Sequence, residues 1–156
     1  LHDRPSHVAV TAWGKRLYFV DVSNTPTVVS HVPTSRQYWG VASGPEDTLV
    51  VSSEKDSEGP ASVDVIRRTG VVLRTVTDSN TLTDLKYPWH LCVSDGDVLV
   101  SDLDANTVFR VKLDTGEVVH RLQHEDMRGP TQVATDTSGN CYIASVDRQC
   151  VLVVTP

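Results

Sequence analysis

Short apolar runs separated by polar turns are the dominant pattern of this chain. The runs are rich in Val, Leu, Ile and Tyr, and Gly, Pro, Asn and Asp stand between them. Examples are residues 17–20, 48–51, 63–66, 98–100, 108–111 and 141–143. No stretch keeps apolar residues at the spacing i, i+3, i+4, i+7 over three turns, so the pattern favours strands over amphipathic helices. We therefore predict an all-β fold.

The strand pattern repeats along the chain. Four segments start with a small, polar or aromatic residue followed by an apolar pair: residues 6–9, 39–42, 89–92 and 131–134. Each segment leads into a polar turn, an apolar strand, a second turn and a third strand, and two of the repeats continue into a fourth strand. Antiparallel meanders of four strands repeated every 40 to 45 residues are typical of β-propeller blades. We place the four imperfect repeats at residues 4–36, 37–84, 85–127 and 128–156.

The number of strands bears on how such a propeller closes. The first repeat has little room for a fourth strand, and the last one stops at Val154 after its third strand. We therefore expect about 3.5 to 4 blades, which form part of a larger propeller or an open arc. A small four-bladed ring and association with a second copy are the alternatives. Bare strand edges and blade faces would favour self-association.

Two stretches resemble a known repeat. Residues 39–42 (Trp-Gly-Val-Ala) and 139–145 (Gly-Asn-Cys-Tyr-Ile-Ala-Ser), together with Asp102, Asn106 and Val108, resemble the NHL repeat, whose propellers usually have six blades. The resemblance implies a module that recognises a protein partner or substrate, as in the tripartite-motif ubiquitin ligases. The chain has no RING or B-box cysteine pattern, so any ligase activity would lie outside it.

Basic and aromatic residues precede the predicted innermost strands. Arg36, Lys86 and Arg128 each stand three residues before one of the segments 39–42, 89–92 and 131–134. Four aromatic residues lie beside them: Tyr38, Trp39, Tyr87 and Trp89. Because propeller loops of this kind share one face, we predict that these seven residues form a binding surface. The alternative is that the aromatic rings only fill the junctions between blades. The outer turns of the same face carry acidic residues: Glu54, Asp56, Glu58, Asp104 and Asp147.

Charge and related families leave two further functions open. Some NHL propellers bind RNA through a basic, aromatic face, and the same basic and aromatic residues would serve here. The net charge of −6 weighs against RNA binding. Propellers similar to NHL domains also include metal-dependent lactonases and amidating lyases, but we find no set of axial ligands for a metal.

No sequence motif indicates a catalytic site. The sequence lacks a Gly-x-Ser-x-Gly elbow, a phosphate loop and a His-Glu-x-x-His motif. We place His120 and His124 in a solvated loop, and we assign Asp21 and Asp102, at the ends of equivalent strands, to capping of the following turns. We therefore predict a non-catalytic protein without metal or cofactor.

The cysteines and the hydropathy bear on location. Three cysteines without a Cys-x-x-Cys pair indicate reduced thiols, and the chain has no apolar run near 20 residues. Cys150 should face Ser145 across its hairpin rather than Cys141, which argues against a disulfide bond. We predict a cytoplasmic protein that does not contact membranes.

Overall fold

The computed structural model describes residues 7–77 and 85–156 of the chain. These residues form fourteen strands in four antiparallel sheets and contain no helix, which confirms the all-β prediction. The sheets stack side by side as propeller blades and are numbered here as blades 1 to 4. The start of the first predicted repeat, residues 4–6, lies outside the described residues, as does the end of the second, residues 78–84.

Each blade is a meander in which strands that follow one another along the chain pair with each other. Blade 1 contains β1 (His7–Ala12), β2 (Arg16–Asp21) and β3 (Thr27–Pro33). Blade 2 contains β4 (Val41–Ser43), β5 (Thr48–Ser53), β6 (Ser62–Arg67) and β7 (Val72–Thr75). Blade 3 contains β8 (Pro88–Ser94), β9 (Asp97–Asp102), β10 (Thr107–Lys112) and β11 (Val118–Leu122). Blade 4 contains β12 (Pro130–Thr135), β13 (Cys141–Ser145) and β14 (Cys150–Val154).

The first strands of blades 2, 3 and 4 line the axis of the arc. Strand β8 packs against β4 on one side and against β12 on the other. The loops that lead into these inner strands therefore open on one face, together with the turns between the second and third strands of each blade. We call this surface the loop face.

The strands of blade 1 occupy other positions within the blade than the sequence predicted. A register shift interrupts the pairing of the third and fourth strands of blade 2 at Val65/Ile66 and of blade 3 at Arg110/Val111. The same shift occurs between β2 and β3, at Phe19/Val20. Strands β2 and β3 therefore correspond to the third and fourth strands of a blade.

Hydrogen bonds to the neighbouring blade support the same assignment. The hydroxyl of Thr11 in β1 donates to the carbonyl of Trp39 at 2.6 Å, ahead of the inner strand of blade 2. The hydroxyl of Ser101 in β9, the second strand of blade 3, donates in the same way to Thr131 at 2.8 Å. Strand β1 is thus a second strand and not the inner strand that residues 6–9 predicted. A two-residue strand period fits any position in a blade, so the local pattern could not separate these alternatives.

The hydrophobic core lies between the blades rather than within them. The contact between blades 1 and 2 buries Leu17, Phe19, Leu49, Val51 and Ile66. The contact between blades 2 and 3 includes Val50, Val63, Val65, Val98, Val100, Phe109 and Val111. The contact between blades 3 and 4 includes Leu99, Val108, Val133, Cys141 and Ile143. Each sheet gains stability by covering its neighbour, as expected for repeats that cannot bury both faces alone.

Two local predictions have different outcomes in blades 3 and 4. His120 lies in strand β11 opposite Arg110, so its assignment to a loop was wrong, although its side chain is exposed as expected. The histidine extends a strand whose apolar pattern begins at Val118, because the pairing with β10 overrides the polar composition. Cys150 lies opposite Ser145, and all three cysteines are unpaired, as predicted.

Candidate functional site: an aromatic cluster on the loop face

Arg36 fastens the long turn between β5 and β6. Its side chain is only 12% exposed and makes an ion pair of 2.9 Å with Asp56. The guanidinium also donates to the backbone carbonyls of Glu54 at 2.8 Å, Gly59 at 3.1 Å and Pro60 at 2.8 Å. The charge predicted for the binding surface is therefore used to hold this turn.

The ion pair also alters the acid strength of Asp56. Partial burial raises the pKa of this carboxyl group, whereas the hydrogen bond and the charge of Arg36 lower it. Backbone N–H groups of Glu58 and Gly59 lower the pKa further, and the net shift is downward. Asp56 thus stays ionised and keeps its contact with Arg36 at neutral pH.

Tyr38 lies in the core between blades 1 and 2 and not on the loop face. Its side chain is 2% exposed, and its hydroxyl donates to Asp64 at 3.1 Å. Burial and the neighbouring carboxylate raise the pKa of Tyr38 to about 12. The prediction that Tyr38 contacts a partner is therefore corrected, because its ring is buried in the core between blades 1 and 2.

Four aromatic side chains meet at the loop face. The rings of Trp39 and Trp89 stack at 5.7 Å with an interplanar angle of 17°. Tyr87 lies 5.4 Å from Trp89 and 6.2 Å from Trp39, and Trp13 meets the Trp39 ring edge-on at 5.0 Å. We call Trp13, Trp39, Tyr87 and Trp89 the aromatic cluster. It joins blades 1, 2 and 3, so part of the alternative interpretation, that these rings fill blade junctions, also holds.

Trp13 was not among the predicted site residues. It belongs to the turn between β1 and β2, which the sequence interpretation placed at the opposite face by treating β1 as an inner strand. Gln37 fixes the turn here, because its side chain accepts from the Gly14 N–H at 2.9 Å and donates to Ala12 at 2.9 Å. A tryptophan in a three-residue turn was the available signal, since large apolar residues seldom occupy exposed turns.

The cluster combines an exposed ring with a partly buried one. Trp13 is 79% exposed and is the most exposed large apolar side chain among the described residues. The indole N–H of Trp39 is buried and has no hydrogen-bond partner within residues 7–77 and 85–156. Such a donor costs about 1–3 kcal/mol, and rearrangement on binding is one way for it to gain a partner.

Asp102 positions two of the predicted site residues. This fully buried carboxylate accepts the backbone N–H of Lys86 at 2.6 Å and that of Tyr87 at 3.0 Å. It also accepts the N–H of Ala105 at 3.0 Å, which is the predicted capping of the following turn. Asp21 caps its own turn through Ser23 at 2.8 Å, but it ends a third strand and is not equivalent to Asp102.

The two remaining predicted cations lie in the loops before the inner strands β8 and β12. Lys86 and Arg128 are exposed, and in the part of the chain that the structure describes neither side chain has a hydrogen-bond or ion-pair partner. Burial and the negative charges of Glu54 and Asp104 raise the pKa of Tyr87. The loop face thus has an aromatic centre, exposed cations that include Lys86 and Arg128, and acidic residues in its outer turns.

The described residues offer no evident place for a metal. They contain no group of three or more His, Cys, Asp or Glu side chains that could bind one. His90 lies near the axis with its Nδ1 atom 3.5 Å from the Val133 N–H, and burial lowers its pKa. Residues 7–77 and 85–156 also include no helix that could cross a membrane.

Comparisons with known proteins identify the fold. No protein-family profile and no curated protein sequence matches the chain. Among solved structures, the WD40 β-propeller domain of Doa1 matches with a TM-score of 0.65 and 15% identity, over 98% of this chain and 51% of that one. A streptogramin B lyase matches with a TM-score of 0.65 and 11% identity, over 94% and 50%. The computationally designed Ika4 protein matches with a TM-score of 0.59 and 14% identity, over 97% and 86%.

These similarities show a β-propeller fold and no more. The chain spans about half the length of the Doa1 domain and of the lyase. One of these similar proteins is named as a lyase and another as a WD40 domain, so the fold is shared by proteins of different function.

Proposed function

We propose that this β-propeller arc is a non-catalytic recognition module that binds a protein partner through the aromatic cluster. The observation that carries the proposal is the exposed ring of Trp13, packed edge-on against Trp39 and backed by the Trp39–Trp89 stack. Rigid aromatic side chains supply large contact areas at a small cost in conformational entropy, and interface hot spots are rich in them. The role agrees with the resemblance to NHL domains of tripartite-motif proteins.

Charge on the loop face suggests the chemistry of the partner. Within residues 7–77 and 85–156 the side chains of Lys86 and Arg128 have no hydrogen-bond or ion-pair partner, whereas Arg36 is already held by Asp56. The acidic residues in the outer turns would repel a strongly acidic surface as a whole. We therefore expect a peptide segment with an apolar side chain for the cluster and a single acidic group beside it, directed to Lys86.

The test is comparative affinity capture with quantitative mass spectrometry. Trp13→Ala and Lys86→Glu should remove the specific partner. Arg67→Ala should retain it, because this exposed arginine lies at the end of β6 away from the loop face and its side chain has no hydrogen-bond or ion-pair partner among the described residues. Loss of a central tryptophan should weaken binding by roughly 30-fold, about 2 kcal/mol. Partners retained equally by Trp13→Ala would show that recognition does not use the cluster.

Tryptophan fluorescence gives a direct reading of the same site. All three tryptophans of the chain belong to the cluster, so a purified partner should change the emission as it binds. Single-stranded RNA oligonucleotides serve as the second titrant. A fluorescence change with RNA that weakens steeply with salt would favour the alternative function, because phosphate contacts release counterions.

The absence of catalysis and the cytoplasmic location also belong to the proposal. Activity screens with divalent metal ions test the first of these, and any metal-dependent turnover would contradict it. Subcellular fractionation with a tagged chain tests the second, and recovery in a secreted or membrane fraction would contradict it.

A further inference from the structure

The two outer blades present apolar faces that match the buried faces of the inner blades. In blade 2, the side directed to blade 3 buries Val50, Val63 and Val65. In blade 4, the last residue of the second strand lies opposite the first residue of the third, as it does in blade 2. This shared register aligns the three buried valines with Tyr142, Val151 and Val153. These are 38%, 62% and 55% exposed.

Blade 1 shows the opposite half of such a contact. In blade 3, the side directed to blade 2 buries Val98, Val100, Phe109 and Val111. The strand assignment of blade 1 places at these positions Val8, Val10, Tyr18 and Val20. Val8 and Val10 are 41% and 42% exposed. Blade 1 therefore carries the same sequence of valines and one aromatic ring that blade 3 buries.

We infer that a second copy of this chain covers these faces, with blade 4 of each copy packed against blade 1 of the other. The exposed face of blade 4 has the residues with which blade 2 contacts blade 3, and the exposed face of blade 1 has those with which blade 3 contacts blade 2. The two faces therefore complement each other, and neither complements a copy of itself. A head-to-tail contact of this kind closes into a ring of two copies. It continues the stacking already present between blades 1, 2, 3 and 4.

The lengths of similar proteins support this occupant. The chain covers about half of two propellers with solved structures, so two copies supply the length of one. It also covers 86% of the Ika4 chain, so a chain only slightly longer than this one has a solved structure of similar fold. The aromatic cluster lies on the loop face, and the contact proposed here leaves it accessible.

Mass in solution tests the inference, with variants on each face. Light scattering should give twice the chain mass of 17.1 kDa for the wild type. Val10→Asp and Val153→Asp should each give the monomer, because each variant damages both junctions of the ring. Val71→Asp, at a valine in the β6–β7 turn that is 55% exposed, should leave the dimer unchanged.

A mixture of the two face variants separates this contact from other dimers. One junction in a mixed pair combines two unaltered faces, so equal amounts of the Val10→Asp and Val153→Asp chains should again form a two-copy species. A dimer that joins like faces would persist in one of the single variants and would overturn the inference. So would a wild type that stays monomeric as its concentration is raised, or an open series of larger species. If an aspartate variant loses its β-sheet circular dichroism, Val10→Thr and Val153→Thr replace the pair and should weaken dimerisation at least 10-fold.

Discussion

Arg36 offers a direct test of how the loop face is held together. We consider the substitution Arg36→Ala, which removes the guanidinium from the β5–β6 turn. The wild-type side chain pairs with Asp56, donates to three backbone carbonyls and reaches the Ser62 hydroxyl at 3.0 Å. The arginine is mostly buried, so water replaces these contacts only in part.

The magnitude follows from these contacts. Hydrogen bonds that involve a charged group contribute about 1.5–3 kcal/mol each when buried, and removing one partner of a buried ion pair costs about 3–5 kcal/mol. The carbonyls of an opened turn regain water, which lowers the sum. We therefore expect Arg36→Ala to reduce the free energy of unfolding by about 3 kcal/mol, a large part of the 5–15 kcal/mol typical of a domain.

Urea unfolding followed by tryptophan fluorescence measures this loss. Arg36→Lys keeps the charge but loses the planar fork, so it should recover about half of the stability. Arg148→Ala is the matched control, because this arginine is exposed and its side chain has no hydrogen-bond or ion-pair partner among the described residues. It should change the free energy of unfolding by less than about 0.5 kcal/mol. Limited proteolysis should also cleave Arg36→Ala at Lys55, in the loosened turn.

The pH dependence has a definite sign. Because Arg36 helps to lower the pKa of Asp56 below its usual 3.8, the ion pair stabilises the fold above that pH. Its contribution is lost as the pH falls through the lowered pKa, so the difference between wild type and Arg36→Ala should shrink in acid. A stability of Arg36→Ala equal to that of the wild type at pH 7 would refute the structural role of Arg36.

Three further predictions concern buried groups. Asp102→Ala leaves three backbone N–H groups without an acceptor, so urea unfolding should show a loss of about 3 kcal/mol in the free energy of unfolding. Asp21→Ala frees one exposed N–H and should cost under about 1 kcal/mol. Equal losses in the two variants would contradict this prediction. Gly40→Ala places a methyl group 2.7 Å from a serine hydroxyl oxygen and 2.9 Å from a backbone oxygen. The variant should lose about 1–3 kcal/mol of stability, seen as a thermal midpoint lowered by a few degrees. Gly59→Ala, with only an arginine nitrogen at 3.9 Å, should melt like the wild type. The raised pKa of Tyr38, about 12, means that the folded state holds the phenol proton more tightly than the unfolded state does. This contribution to stability is complete below pH 10 and is lost as the pH rises from 10 to 12. The free energy of unfolding of Tyr38→Phe should therefore fall less steeply with pH in that window, and an unchanged slope would contradict the assignment.

The position of strands within a blade shows where sequence reasoning reached its limit. Apolar alternation located the strands of all four sheets, but it placed the first one at the wrong position in its blade. The register shift at Phe19/Val20 and the hydrogen bond from Thr11 to Trp39 reveal the true position, and both depend on pairing between separate segments. Trp13 was overlooked for the same reason.

The structure brings together three of the seven predicted binding residues, and their role in binding stays a prediction. Trp39, Tyr87 and Trp89 meet as one cluster because the loops before neighbouring inner strands share a face, which repeat spacing alone indicated. Spacing could not show that Arg36 turns toward Asp56, or that Tyr38 points into the core. These orientations depend on the shape of the β5–β6 turn and on the neighbouring blade.

The amino-acid sequence by itself determined the all-β class and the blade-like repeats, because hydrophobic periodicity and turn residues are local properties. Only the tertiary structure decided which side chains remain exposed, since burial depends on what the adjacent blade covers. Val151 and Val63 are the same residue at the same position of a blade, yet the first is 62% exposed and the second is fully buried. The difference is the presence of a neighbouring sheet, which no local pattern encodes.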